Sequence, residues 1–390
     1  MTERIYLDFA ATTPVGAEVL EAMQPFFSDA GYNPSSLHAE GRRVRAALDD
    51  ARDAVARVLG VGRKELVFVG SGSEADNQAL LGTARANPTK RHLVSSAIEH
   101  HAVLHALDAL RDDGYKITLL DVDENGLVDP AEFAAALRDD TLLASVMLAN
   151  NETGTVQPIA RLAAMARERG VLVHVDAVQA APWVDLQPRA LGVDLLSLSA
   201  HKFYGPKGVG VLYVREGVAV APLVHGGGQE FGRRSGTENV AGIVGFARAL
   251  ELAAVGREEC SGRVAALRDR LEAGIVADIE DVRINAAGAP RLPNIANVSF
   301  GEIDSEALLM ALDLEGVAVA AGSACTSGAL EPSHVIAALK GDPRWHRGVI
   351  RFSLGYTTTA EQIDRLLSLL PGVVSTLRGN RVTARNARHA

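Results

Sequence analysis

Between residues 65 and 214 the chain alternates short apolar runs with amphipathic stretches of helical spacing. The runs at 66–69, 92–95, 117–120, 142–148, 172–175, 195–198 and 209–214 have the length and the Val and Leu content of buried strands. Residues 74–86 and 159–169 repeat apolar positions at three- and four-residue intervals, which predicts helices between the strands. Such alternation implies an α/β fold with a mostly parallel central sheet covered on both faces. Beyond Asn239 the pattern changes to two long helices at 240–254 and 263–279. A smaller C-terminal α/β unit follows, with strands near 297–300, 317–320 and 349–353. The boundary between units is expected near Val255-Gly256, so that 15–255 forms the large domain and 256–377 most of the small one. Residues 378–390 are basic and poor in apolar side chains, which predicts a disordered tail.

Composition narrows the picture. A net charge of -9 argues against broad nucleic-acid binding. No uncharged apolar run is long enough for a membrane span, and the N-terminus lacks the basic and apolar regions of a secretory signal. Only Cys260 and Cys325 occur, too few for a disulfide framework, so a reducing compartment such as the cytoplasm is expected.

The chemistry gathers where strands should end. Lys202 follows the strand at 195–198 and precedes a glycine-rich loop, among small residues and hydroxyls. A lysine there can lose its proton by desolvation and attack an aldehyde. Asp176 ends the strand at 172–175. An acid and a lysine on neighbouring strand ends meet the needs of pyridoxal 5′-phosphate, one for the ring nitrogen and one for the aldehyde. Gly72 and Ser73 precede a helix expected to begin near Glu74, where backbone N–H groups can hold a phosphate. Ligands of parallel sheets bind outside the carboxyl ends of the strands, so Gly72, Asn151, Asp176 and Lys202 are expected to converge.

The motifs carry a resemblance. His-Val-Asp-Ala-Val-Gln at 174–179 and Ser-Leu-Ser-Ala-His-Lys-Phe-Tyr-Gly-Pro-Lys-Gly at 197–208 resemble the aminotransferase class V family. Its cysteine desulfurase branch, of the iron–sulfur-cluster-assembly type, is similar at further sites. These include residues 6–14, Asn33-Pro34-Ser35-Ser36, residues 71–77, Glu99-His100, residues 150–154, Arg234-Ser235-Gly236-Thr237 and residues 351–355. The resemblance implies the aspartate aminotransferase-like fold of pyridoxal-phosphate transferases, with residues 1–14 packing on the small domain. It implies Lys202 as the Schiff-base lysine, Asp176 at the ring nitrogen and Gln179 at the phenolate oxygen. Ser199 and His201 would join Gly72 and Ser73 at the phosphate, and Thr237 would reach it from the second subunit of a homodimer. His100 would stack on the ring and move protons. Asn33, Asn151 and Arg351 would hold the substrate, the arginine through its planar fork.

Cys325 separates the reactions open to such a site. It lies in Gly-Ser-Ala-Cys-Thr-Ser-Gly at 322–328, which resembles the mobile cysteine loop of the desulfurases and looks unlike a core segment. The activity implied converts L-cysteine to L-alanine, with sulfur passing to Cys325 as a persulfide and then to an acceptor protein. Alternatives are a selenocysteine lyase, another class V transaminase or lyase, and a sulfur-relay protein dependent on an accessory subunit. The family's C-terminal scaffold-binding extension is not recognisable. Two decoys are set aside. Asp121 to Glu132 satisfies a calcium-loop pattern, but the preceding residues read as a strand rather than the entering helix. His101 and His105 have metal-ligand spacing without a zinc protease's glutamate, so no metal is expected.

Overall fold

The computed structural model describes residues 4–322 and 333–387. Its strands are β1 (Ile5–Tyr6), β2 (Leu66–Val69), β3 (His92–Ser96), β4 (Lys116–Leu120), β5 (Thr141–Ser145), β6 (Leu172–Asp176), β7 (Leu195–Ser199), β8 (Gly210–Val214), β9 (Val282–Ile284), β10 (Ile295–Phe300), β11 (Val317–Ala318) and β12 (Val349–Ser353).

The central sheet has the order β2-β8-β7-β6-β5-β3-β4. Pairing is parallel from β4 to β7, and only β8 runs against its neighbours. Strands β2, β3 and β5 to β8 are buried along their whole length or nearly so, as a sheet covered on both faces requires. Two apolar clusters occupy its faces, one around Phe68, Val175 and Phe246 and the other around Leu80, Leu107 and Leu212.

A third cluster surrounds the antiparallel sheet β12-β10-β9, with Phe300, Phe352 and Leu366 at its centre. The N-terminal segment connects the regions. Ile5 and Leu7 are buried in this smaller core, where β1 pairs with β11, whereas Ala10 is buried against the large one.

Two expectations are corrected. The predicted pair of helices is one helix, Val240–Asp278, running straight through Val255-Gly256. Its first half buries Ile243, Phe246 and Leu250 in the large core, and its second half buries Val264, Leu271 and Ile275 in the smaller one. The change of partner leaves Val255 exposed between them, which resembles a loop in sequence, and Gly256 weakens a helix without ending it. The final helix, Ala360–Ala387, continues through most of the predicted disordered tail. Arg378 helps to extend it, because its guanidinium donates to the carbonyls of Glu280, Asp281 and Gly301.

Candidate active site

The parallel strands deliver the predicted residues to one edge. Asp176 is the last residue of β6, and His201 and Lys202 form a single turn immediately after β7. The Asp176 carboxylate accepts the Val178 N–H at 2.9 Å. Burial pushes this carboxyl up to about 6, while the Val178 N–H and the charge of Lys202 pull the other way. Lys202 Nζ donates to the carbonyls of Ala10 at 2.6 Å and Ala11 at 2.9 Å. Gln179 Nε2 donates to the same Ala10 carbonyl at 2.9 Å, which sets the amide beside the lysine.

The glycine-rich turn after β2 enters a helical segment at Gly72, two residues earlier than expected. Ser71 caps it, its hydroxyl accepting the Glu74 N–H at 3.0 Å. Gly72 has a reason to lack a side chain. A Cβ there would stand 2.8 Å from Val178 Cγ2 and 3.2 Å from Ser199 Cβ, so the helix start could not lie against the ends of β6 and β7. Ser199 is buried beside this approach, and Ser73 is exposed.

His100 caps the helix His101–Asp112, its Nδ1 accepting the Ala102 N–H at 3.1 Å. That bond leaves Nε2 as the protonated nitrogen of the neutral ring. Burial, followed by the charge of Lys202, lowers His100 to about 4. Burial and Lys202 likewise lower His201 to about 4, and its Nδ1 lies 3.1 Å from the Thr12 hydroxyl. Both rings are therefore neutral at neutral pH.

Arg351 reaches the site from the smaller core. It is 2% exposed, donates to the Asn151 carbonyl at 2.9 Å and pairs with Asp8 at 2.7 Å. Two predicted residues stand apart. Asn33 is exposed and uses its side-chain oxygen to accept the Ser35 N–H, and Thr237 is exposed on the loop before the helix Val240–Asp278. Cys325 lies outside the described residues.

Some participants escaped the sequence reading. The Ala10 and Ala11 carbonyls are backbone groups that any residue would present, so no side-chain signal marks them. Asp8 and Ser71 stood within quoted motifs, but only the fold shows one facing Arg351 and the other closing a helix end. The calcium decoy is resolved: Asp123 accepts the N–H groups of Asn125 and Leu127, and Asp129 caps the next helix. No cluster suited to a metal occurs among the described residues.

The donor set fits pyridoxal 5′-phosphate. A lysine and a buried carboxylate leave adjacent strands, and a helix start is pressed against both by a glycine that tolerates no Cβ.

Comparison with known proteins extends the likeness across the chain. The aminotransferase class-V family model matches residues 5–366. A protein named cysteine desulfurase IscS from Dictyoglomus turgidum is 46% identical over 379 residues, covering 97% of this chain and 96% of its own. A solved NifS-like protein superposes with a TM-score of 0.89 at 38% identity, covering 96% of this chain and all of its own. A structure described as SspA in complex with cysteine gives a TM-score of 0.80 at 34% identity, over 91% of this chain and all of that one. Likeness of sequence and likeness of fold coincide over the same span, and the chain belongs to the aminotransferase class-V family.

Proposed function

We infer that this chain is a pyridoxal-phosphate-dependent cysteine desulfurase that converts L-cysteine to L-alanine and takes up the sulfur on Cys325. One observation carries the reading: Lys202 and Asp176 leave adjacent parallel strands within reach of the Gly72 helix start. Relatives named cysteine desulfurase, similar along nearly the whole chain, support the choice of reaction. The description of SspA in complex with cysteine supports the choice of substrate.

When bound, pyridoxal 5′-phosphate supplies an electron sink that makes the substrate's α-hydrogen and its carbon–sulfur bond labile. Lys202 would hold the cofactor through its aldehyde, and its amine is the group to move the substrate's α-proton. Asp176 pairs with the ring nitrogen, and Gln179 donates toward the ring oxygen from beside the lysine. The backbone N–H groups at Gly72 and Ser73, with Ser199 and His201, receive the phosphate. His100, neutral and with Nδ1 occupied by the Ala102 N–H, would help to hold the ring and would move protons through Nε2. Arg351, supported by Asp8 and the Asn151 carbonyl, grips the substrate carboxylate, and the side chains of Asn151 and Asn33 complete that pocket. The Cys325 thiolate attacks the substrate sulfur: a sulfur–sulfur bond forms, the carbon–sulfur bond breaks with its electron pair left to the carbon side, and that carbon takes up a proton before alanine departs. The persulfide then passes to an acceptor protein, in support of iron–sulfur cluster assembly or another sulfur-requiring synthesis.

Borohydride reduction followed by peptide mapping tests the cofactor link, which is expected on Lys202 and not on Lys207. Cys325→Ala should retain the cofactor and the absorbance change on adding L-cysteine, while persulfide and most alanine formation disappear. Undiminished persulfide in that variant would leave only a generic class V lyase.

A further inference from the structure

Beneath the strand ends, one face of the sheet carries a row of polar side chains for which the proposed chemistry has no use. His174 lies two residues before Asp176 on β6, so both leave the same face. Ser145 on β5 is the register partner of His174, and Ser197 on β7 is that of Asp176. The His174 ring is wholly buried, with Nδ1 2.8 Å from the Ser145 hydroxyl and Nε2 2.9 Å from the Ser197 hydroxyl. Asp76, on the helix Gly72–Asn77, closes the row. Its Oδ1 stands 3.6 Å from His174 Nε2.

Burying an imidazole, two hydroxyls and a carboxyl where neighbouring strands bury Val and Leu costs free energy unless every group is satisfied. The carboxyls are not satisfied as anions. Oδ1 of Asp76 and Oε2 of Glu99 are buried without a hydrogen-bond partner among the described residues. Charged groups facing Asp76 are Asp176 from β6 and Glu99 from the segment after β3, both acidic, and the His174 imidazole is neutral because burial lowers it to about 3. Lys202 acts on Asp176. Three carboxyls thus share one dry region, and the lysine and the Val178 N–H single out Asp176 to carry the charge. Burial and the Asp176 charge hold Asp76 well above the usual carboxylate range.

We propose that Asp76 and His174, side by side beneath the strand ends, are positioning residues that confine the negative charge beneath the cofactor ring to Asp176. This rests on the reading of the site as a pyridoxal-phosphate site. In this arrangement Ser145 donates to Nδ1 and Nε2 donates to Ser197, which fixes the imidazole in one tautomer. The Asp76 carboxyl beside the ring, its Oδ1 without a partner among the described residues, keeps its proton. The helix that receives the phosphate then brings no buried charge of its own to compete for the ring nitrogen.

Protein labelled with carbon-13 at aspartate Cγ tests the charge assignment, with Asp76→Asn and Asp176→Asn identifying the two carbons. Across the neutral pH range the Asp76 carbon should keep the shift of a carboxylic acid, with and without pyridoxal 5′-phosphate. The Asp176 carbon should read as a carboxylate once the cofactor is present. His174→Leu should weaken cofactor retention about tenfold or more, because it removes both the donor and the acceptor that orient the serines. With nitrogen-15-labelled cofactor, the same variant should move the ring-nitrogen signal toward the deprotonated form. His174→Gln can accept from one serine and donate to the other, and should restore both readings. An Asp76 carbon at the carboxylate position, or a leucine variant with native retention and a native ring-nitrogen signal, overturns the proposal. The carbon measurement needs no substitution at His174 and decides the matter even where the leucine variant misfolds. Failure of borohydride to trap the cofactor on Lys202 in the unsubstituted protein instead overturns the site reading, and the proposal with it.

Discussion

Glu99 is a carboxyl that the fold has taken wholly out of water. Its Oε1 accepts the Ser96 hydroxyl and the Met147 N–H, and its backbone carbonyl is 2.9 Å from His334 Nε2. Burial raises it from 4.5 to about 8. The folded protein therefore keeps a proton that the unfolded chain releases above the lower value. The resulting stability is fully present at acid pH and is lost as pH rises through the folded value. Between those limits Glu99 alone should reduce stability by about 1.4 kcal/mol per pH unit at most. Glu99→Gln should flatten this part of the curve and gain on the parent most clearly near pH 8, as denaturant titrations at a series of pH values would measure. A variant with the parent's slope would refute the protonated assignment. Residue chemistry of this kind was only partly legible beforehand. Lys202 and Asp176 could be read because their side chains and strand positions are specific. His174 and Asp76 could not, because their meaning depends on which hydroxyls the sheet register sets beside them.

Among the elements, the helical start at Gly72 is held by contact and not by sequence identity alone. Gly72→Ala adds a methyl against Val178 and Ser199, both at strand ends and with little room to retreat. The expected cost in stability is about 1–3 kcal/mol, as for other overpacked positions. Loss of cofactor retention should exceed what that cost explains, because the displaced N–H groups are the phosphate donors of the proposed site. Retention equal to the parent's would remove Gly72 from the phosphate site. A second contact anchors the loop before Thr237. Arg52, from the helix Ala39–Leu59, donates to the Leu66 carbonyl and pairs with Glu230, which also accepts the Phe68 N–H. Both partners are nearly inaccessible. Arg52→Leu would leave the Glu230 carboxylate buried without its cation and should cost about 3–5 kcal/mol in a denaturant titration. The strands of the central sheet were legible because buried strands declare themselves as apolar runs. The long helix was misread at 255–256 because its two halves bury different faces in different cores, and periodicity summed across that change cancels.

At the scale of the molecule, Thr237 is exposed, and the expectation that it serves the phosphate of a second subunit can be tested. Mixing settles this. Lys202→Ala homodimers should be inactive and Thr237→Ala homodimers impaired. Exchange of subunits should create one heterodimer site containing both native residues and recover about half the activity of that site pair, provided that the threonine acts in trans. No recovery on verified exchange would mean that each subunit supplies its own. Among the described residues, no helix is long and apolar enough to cross a membrane, in line with the absence of such a run in the sequence. The terminal helix was hidden from sequence reading because its extension rests on Arg378 meeting carbonyls a hundred residues away, not on apolar periodicity.

The N-terminal segment also sets an order in time. Ile5 and Tyr6 pair with Val317 and Ala318, Asp8 meets Arg351, and the Ala10 and Ala11 carbonyls wait for Lys202. Residues 5–11 thus find partners far along the chain, Asp8 meeting Arg351 across 343 positions. Contacts of such long sequence separation close late in folding, so the segment is complete only once β12 is in place. The segment that completes the lysine's surroundings therefore dates the site: it can close only after the smaller core has formed.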